Sequence, residues 1–438
     1  MNNSLETTIP NPVPRSSRLR RRWLLGCGLP CLLLVTLLLV FVIPRTIDEP
    51  PFHAPDLEVE LSEIPNGENA AIGYAAIIEE ADTLFEETED LQHLWEEAPA
   101  AGGLLAMIQR EPRLRDEYWE PLLGLLARVD AISNLASYRP PIAETSFRPR
   151  ARTELDRVST WMRRRAQIQR EGAERRELLA SLESWGLFAR RCSDGTLDFL
   201  GLLESVRAAE DFADGLEAFL AETEGDLDDL LRLLGKFGLN RPQVSTALRL
   251  EFLQSRAALL HPQLTQDSEF DIFDRLSYRP NASVRILGEF VRAQIATGEA
   301  TGRGAPPLEI PDLSSSRKVL LEGNRPGWLL LGLLAPQLEG AFQKSSRAIT
   351  RVRAAQLMVA LVMFEEAWGA LPEELEELVP DLLLAIPLDP FDDQPLRYDR
   401  ERRLVWGIDT DLVDDGGPPG TEEEESPDVV FSIPKRGS

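Results

Sequence analysis

Among the side chains that can do acid–base chemistry, carboxylates are by far the most abundant in this 438-residue sequence, with 73 Asp and Glu residues against three His. Adjacent pairs such as Glu79-Glu80 and Asp228-Asp229 supply the residue type that a glycoside hydrolase uses. Such an enzyme needs two carboxyl groups about 5–10 Å apart. Adjacent residues of a helix face different sides, so the sequence does not by itself bring either pair together. An envelope-polymer hydrolase that uses paired carboxylates is therefore one hypothesis for this chain.

Histidine and cysteine, which form most metal centres and many nucleophilic sites, are scarce. Only three of each are present, and His53, His93 and His261 are far apart in the sequence. No HExxH, GxSxG or P-loop motif occurs. This composition excludes a disulfide scaffold, a multi-cysteine zinc site and a histidine-rich cluster. We therefore expect no catalytic residues and a non-enzymatic role.

The first element that would position any site is an uncharged segment near the N-terminus. Residues 23–43 are 21 residues without a charge, rich in Leu and Val, and a helix needs about 20 such residues to cross a bilayer. Five Arg residues precede this segment, and Asp48 and Glu49 follow it. Because the arginine-rich flank of a span stays in the cytoplasm, we predict a single-pass anchor in the inner membrane. The rest of the chain would then be periplasmic.

Two other interpretations of this segment fit less well. A cleaved secretory signal has an apolar stretch of about 7–15 residues and a small-residue cleavage site, and neither is present. Leu24-Leu25-Gly26-Cys27 resembles a lipoprotein signal box, but there the Cys closes the apolar stretch. Here Cys27 opens a stretch that continues to Ile43, so we favour an intact span.

Charge and periodicity describe the exterior part. Its residues carry a net charge of −30 within a total of −26, which repels nucleic acid and anionic lipid. We expect an envelope protein as the partner and no nucleic acid. Helical periodicity extends from residue 68 to about 368, and strand patterns are nearly absent before residue 390, so the predicted fold is mainly α. The predicted parts are a basic cytoplasmic arm (1–22), a transmembrane helix (23–43), a Pro-rich extended stalk (44–66), an α-helical exterior domain (67–341) and a small α+β C-terminal module with short antiparallel strands (345–438).

The C-terminal module carries the most distinctive pattern. A helix is predicted over Ser345–Trp368, with Ser345 or Ser346 as its cap and Gly369 at its end. It is followed by these features: Leu371-Pro372, the turn Leu388-Asp389-Pro390-Phe391, strand patterns at 395–398, 404–408 and 429–433, Gly407-Ile408-Asp409, and Gly416-Gly417. The six tryptophans from Trp95 to Trp368 fall at helix-core spacing, which favours a packing role.

This order resembles the globular domain of type II secretion major pseudopilins. There, a helix precedes a Gly-x-x-Pro-like turn, an L-P-x-D-P turn that ends in Phe or Trp, a Tyr strand, a Gly-x-Asp turn, a Gly-Gly loop and a late Asp strand. The resemblance covers residues 345–433. It implies an α+β fold and makes a secretion-apparatus accessory protein a further hypothesis. A pseudopilin that assembles has a prepilin-peptidase site before its apolar helix, and none precedes Trp23, so we expect no polymerisation.

The same resemblance implies a calcium site near the late strands. The positions that match are Asp409 and Asp428, with Asp411, Asp414 and Asp415 close to them in sequence. Calcium takes six to eight oxygen ligands, which a glycine-containing loop can bring together. The alternative is a solvated acidic turn, because the spacing is not that of an EF-hand.

Two further patterns leave alternatives open. The region 148–191 contains 12 Arg, and segment 79–97 contains nine acidic residues and no Lys or Arg. The arginines therefore predict either a basic face for an anionic partner or ion pairs with segment 79–97. Tyr138-Arg139-Pro140 and Tyr278-Arg279-Pro280 indicate either a duplication or two helix stops before Pro.

The complete layout is similar to uncharacterised single-pass membrane-anchored proteins of planctomycete- and verrucomicrobia-type bacteria. In those proteins, Asn69-Ala70-Ala71 and Tyr278-Arg279-Pro280-Asn281 have counterparts. We predict a non-enzymatic, membrane-anchored envelope protein whose periplasmic body binds a partner.

Overall fold

The computed structural model describes most of the chain after the predicted anchor. The described residues are 36, 47–60, 64–91, 93–97, 103–135, 154–172, 175–194, 199–222, 230–231, 244–260, 275, 277–313, 323–417 and 428–435. The predicted basic arm and, apart from Thr36, the predicted transmembrane helix lie outside these residues. Within the described part of the chain, every helix is too short or too polar to pass through a bilayer.

The structure is mainly helical with a small antiparallel sheet, which confirms the predicted fold class at this level. The helices are α1 (Ala70–Glu87), α2 (Leu94–Glu97), α3 (Leu104–Arg110), α4 (Glu120–Ser133), α5 (Glu154–Gly172), α6 (Arg175–Asp194), α7 (Phe199–Glu222), α8 (Val244–Leu260), α9 (Pro280–Thr301), α10 (Arg325–Leu338) and α11 (Ala341–Trp368). The strands are β1 (Arg397–Asp399), β2 (Leu404–Gly407) and β3 (Val429–Ser432). The chain divides into two compact units: unit 1 comprises residues 1–52, 259–284 and 310–331, and unit 2 comprises 53–258, 285–309 and 332–438.

Unit 2 is organised around buried aromatic side chains. Trp161 and Trp185 are among its largest fully buried residues. The ring of Trp185 packs where α7 has Gly215, and a Cβ on that glycine would lie 2.6 Å from the ring. Trp95 and Trp119 are also buried, which confirms the packing prediction for these four residues. Trp368, in contrast, is largely exposed and stacks on Phe364.

The arginines of α5 pair with carboxylates of unit 2. Arg157 donates to Asp82 of α1, which lies in the acidic segment 79–97. Arg165 donates to both oxygens of Asp130 on α4, at 2.8 and 3.1 Å, and Arg163 donates to Asp211 on α7. The interpretation of this region as a partner for segment 79–97 is confirmed for Arg157. The other two pairs use acceptors outside that segment.

Helix α11 connects the helical part of unit 2 to the sheet. It packs against α7 and also against β2 and β3. The predicted cap at Ser345 or Ser346 is wrong: the helix begins at Ala341, after Gly340 in the left-handed conformation. Ser345 and Ser346 are buried within the helix because Ala341 and Phe342 extend its apolar surface by one turn. The predicted end is confirmed, since Gly369 has φ +80°.

The sheet has the order β1-β2-β3, with both pairs antiparallel. Its strands fall within one or two residues of the predicted patterns. Val405 of β2 pairs with Tyr398 of β1 and with Phe431 of β3. The Tyr398 hydroxyl donates to the Pro372 carbonyl at 2.9 Å, which ties the sheet to the turn after α11.

The segment predicted as an extended stalk is partly docked. In unit 2, Ala54 and Leu57 are buried, and Asp56 accepts two hydrogen bonds from Arg292 of α9, at 2.7 and 2.6 Å. Residues 55–57 form a 3-10 turn. The prolines suggested a solvated spacer, but the apolar Ala54 and Leu57 gain more by burial than by remaining in water.

Pro280 occupies the first position of α9. Ser277 is the last helical residue before it, and Tyr278 and Arg279 are not helical. The interpretation of Tyr278-Arg279-Pro280 as a helix stop before Pro is therefore confirmed, and Pro280 starts the next helix, where its missing N–H would have no partner. Tyr138-Arg139-Pro140 lies outside the described residues, so the duplication stays a prediction.

Candidate functional site

The matched calcium position Asp409 lies two residues after the end of β2 and is buried. Arg347 of α11 donates from Nε to both of its carboxylate oxygens, at 2.9 and 2.8 Å, and from Nη2 to Oδ2 at 2.5 Å. The charge of Asp409 is thus balanced by a guanidinium, which joins the end of β2 to the long helix.

The second matched position, Asp428, lies directly before β3. Its Oδ2 accepts the backbone N–H groups of Asp415 at 3.1 Å and of Gly417 at 3.0 Å. Burial raises the pKa of Asp428, and the hydrogen bond from Gly417 partly offsets this rise. Gly417 has φ +76°, a conformation that glycine adopts without a steric penalty. Asp428 therefore holds the ends of the acidic loop together.

The three remaining candidates have separate surroundings. Asp414 Oδ1 accepts from the Trp406 indole at 2.9 Å and from the Gly416 amide at 3.0 Å. Burial by itself would raise the pKa of Asp414. The two hydrogen bonds and the charge of Arg397 outweigh burial, so the pKa is lowered. The Asp411 side chain accepts a local hydrogen bond from the Val413 amide at 3.0 Å. The Asp415 side chain is exposed.

Among the described residues, no group of three or more His, Cys, Asp or Glu side chains is arranged to hold a metal ion. Residues 418–427, which complete the acidic loop, lie outside the described residues. The calcium site therefore stays a prediction. Any cation at Asp409 would have to compete with Arg347.

Asp389 of the D-P-F turn is the central residue of this region. It is fully buried, at 0% exposure. Its carboxylate accepts from the Phe391 amide at 3.0 Å, the Ile408 amide at 2.7 Å and Arg397 Nη1 at 3.1 Å. Arg397 also donates to Asp392 at 2.5 Å. One buried carboxylate thus joins the turn after α11, strand β1 and the end of β2.

The close approach of β2 to this carboxylate requires glycine. A Cβ on Gly407 would lie 2.7 Å from Asp389 Oδ2 and 2.6 Å from the Thr350 methyl group of α11. The D-P-F and Gly-x-Asp patterns were identified in the sequence as turns. The buried contact between them became apparent only in the structure.

Sequence reasoning also missed a pair of half-buried glutamates on α7. Burial raises the pKa of Glu210 and of Glu217. Glu217 Oε1 lies 3.9 Å from Arg351 of α11, which also donates to Asp214. The two glutamates are seven residues apart on one helix, about 10.5 Å along its axis, so they line the α7–α11 contact.

Asp389 makes the stability of this region dependent on pH. Burial raises the pKa of Asp389 from 3.8 to about 6, so the folded protein binds this proton more tightly than the unfolded chain does. We expect its contribution to the free energy of unfolding to fall by roughly 3 kcal/mol as the pH rises from about 4 to about 6. Urea unfolding of the wild type and of Asp389→Asn across this range checks the prediction, and a difference between them that is independent of pH would contradict it.

No protein-family model, curated protein or solved structure matches this chain. The functional proposal below is therefore based on the residues of this chain alone.

Proposed function

We propose that this chain is a non-enzymatic envelope protein, anchored in the inner membrane, whose periplasmic body binds a protein partner. The observation that carries the proposal is the uncharged segment 23–43, with five Arg residues before it and Asp48 and Glu49 after it. An arginine-rich flank on one side sets the orientation of a span, so the large acidic part lies outside the cytoplasm.

The geometry of unit 2 supports a binding role. Helix α11 packs on α7 and on the sheet, so the C-terminal module is held on the helical body. Several charged groups are used in internal pairs, such as Arg347 with Asp409 and Arg403 with Glu365. Apolar side chains on the module are exposed, including Leu384, at 95%, and Val413, and we place them at the partner contact.

Protease protection and membrane washing test the anchor and its orientation. We expect protease added to intact bacterial spheroplasts to degrade the acidic body, and we expect the undigested chain to stay in membranes after alkaline and high-salt washes. A matched variant, Leu33→Arg with Leu38→Arg, should release the chain from the membrane, because each charge at the centre of a span costs about 2.5–3.5 kcal/mol. A body that is protected in spheroplasts, or that washes free at low salt, would contradict the proposal.

The two other hypotheses remain predictions. Co-purification of secretion components from detergent-solubilised membranes would support the accessory role. The hydrolase hypothesis requires two carboxylates facing a groove, whereas Glu210 and Glu217 lie at the α7–α11 contact.

A further inference from the structure

Helix α10 has an unusual composition for a helix at a protein surface. Its 14 residues contain one charged residue, Arg325, at the N-terminal end. Leu329, Leu333 and Pro336 are all exposed, Leu333 to 67%. They follow the i, i+4, i+7 spacing of one helical face. A helix at the surface of a soluble domain normally presents charged and polar residues outward, so this face is matched to an apolar environment.

The start of α10 is fixed to the start of α9 within unit 1. Asn324, the residue before α10, accepts a hydrogen bond from the Arg279 amide at 2.8 Å and donates to Ser283 Oγ at 3.0 Å. The Ser283 side chain also packs directly on Gly327, since a Cβ on this glycine would lie 2.2 Å from Ser283 Oγ. The first turns of the two helices therefore form one connected group.

The residues that follow the predicted anchor bind to the same group. Asp48 Oδ2 accepts from the Asn281 amide at 2.9 Å and from its side-chain amide at 2.8 Å, and Asp48 Oδ1 accepts from the Ala282 amide at 3.2 Å. Asp48 thus caps the N-terminus of α9, where a carboxylate is favoured. The neighbouring Ile47 is 60% exposed.

Chain length then limits how far α10 can be from the membrane. Asp48 is five residues beyond Ile43, the last residue of the uncharged segment, and five extended residues span at most about 18 Å. Because Asp48 is bonded to the start of α9, and α9 to the start of α10, the N-terminal end of α10 is tethered close to the bilayer surface.

We propose that α10 lies in the lipid–water interface of the membrane that holds the anchor, with Leu329, Leu333 and Pro336 turned toward the acyl chains. This inference rests on the proposed function. An apolar stretch of about 10–14 residues is too short to span and forms either a buried core helix or an interfacial segment; the 67% exposure of Leu333 favours the interfacial segment. Trp328 and Arg325 at its start have the chemistry of headgroup-level anchors. Because the body is strongly acidic, apolar burial supplies the attraction, and neutral phosphatidylcholine is sufficient as the lipid.

Fluorescence of the full chain reconstituted in phosphatidylcholine vesicles tests this placement. Cys27, Cys31 and Cys192 are replaced by Ala, and one cysteine is introduced by Leu333→Cys and labelled with an environment-sensitive NBD dye. Leu384→Cys on the C-terminal module, also strongly exposed, is the matched control. We expect blue-shifted emission at position 333 and quenching by doxyl-labelled lipid at least about twofold stronger than at position 384. Leu329→Cys provides a second position on the same face.

The outcomes separate this inference from the proposal on which it rests. If the chain floats with the vesicles but the dyes at 329 and 333 are as exposed to water as the dye at 384, the interfacial placement is wrong and the anchor stands. If the chain does not float with the vesicles, both the anchor and the placement are wrong.

Discussion

Replacing Asp389 by Ala should lower the free energy of unfolding by about 3–5 kcal/mol. The change removes the acceptor for the amides of Phe391 and Ile408 and leaves Arg397 without the partner in its most buried contact. Buried donors without acceptors lose their hydration and gain nothing in return. Urea unfolding followed by circular dichroism measures the total loss. Hydrogen exchange of the Phe391 and Ile408 amides, in the same variant, locates it.

Asp381→Ala is the matched control for this prediction. Asp381 is in the same connection between α11 and β1, but it is exposed, so its removal should change the stability by less than about 0.5 kcal/mol. Equal losses in the two variants would show that Asp389 is not the residue that holds this region together.

Asp130→Ala should destabilise the helical part of unit 2 by about 2–4 kcal/mol. Asp130 accepts two hydrogen bonds from Arg165, whose side chain is only 7% exposed. Without Asp130, a buried guanidinium would lose its counter-charge, which costs more than the pair contributes. Thermal and urea unfolding give the loss. Asp116→Ala, which removes an exposed pair with Arg115, should cost less than about 1 kcal/mol.

A double variant isolates the pair. Asp130→Ala combined with Arg165→Met replaces the buried charge with an apolar side chain of similar length, and it should recover most of the loss. A double variant that is as unstable as Asp130→Ala alone would assign the loss to the packing of Asp130 rather than to the unpaired charge.

Local signals were reliable where the chain decides its conformation over a few residues. Gly369 ends α11 as predicted because the left-handed conformation after a helix favours glycine. The strands appeared where β-branched and aromatic residues cluster between turns. Trp161 and Trp185 are buried as their spacing predicted. In each case, the property that decides the outcome belongs to the residue and its near neighbours.

Local signals failed where burial competes with them. Ser345 and Ser346 have the type of N-cap residues, yet the helix continues through them because Phe342 is buried. Residues 50–57 have the prolines of a linker, yet Leu57 is buried. A cap contributes about 1 kcal/mol, and burial of one large apolar side chain contributes about 1.5–3 kcal/mol. Burial is therefore the stronger term at both places.

The sequence by itself determined the mainly helical class, the positions of the three strands and the uncharged segment on which the proposed anchor is based. Only the tertiary structure decided which charges meet: Asp409 with Arg347, Asp389 with Arg397, and Asp48 with the start of α9. Helix and strand patterns depend on spacing along the chain, which the sequence contains. Ion pairs between residues that are far apart in sequence depend on how the elements pack, and many acidic residues compete for each arginine. That choice is made by geometry and burial in the folded chain.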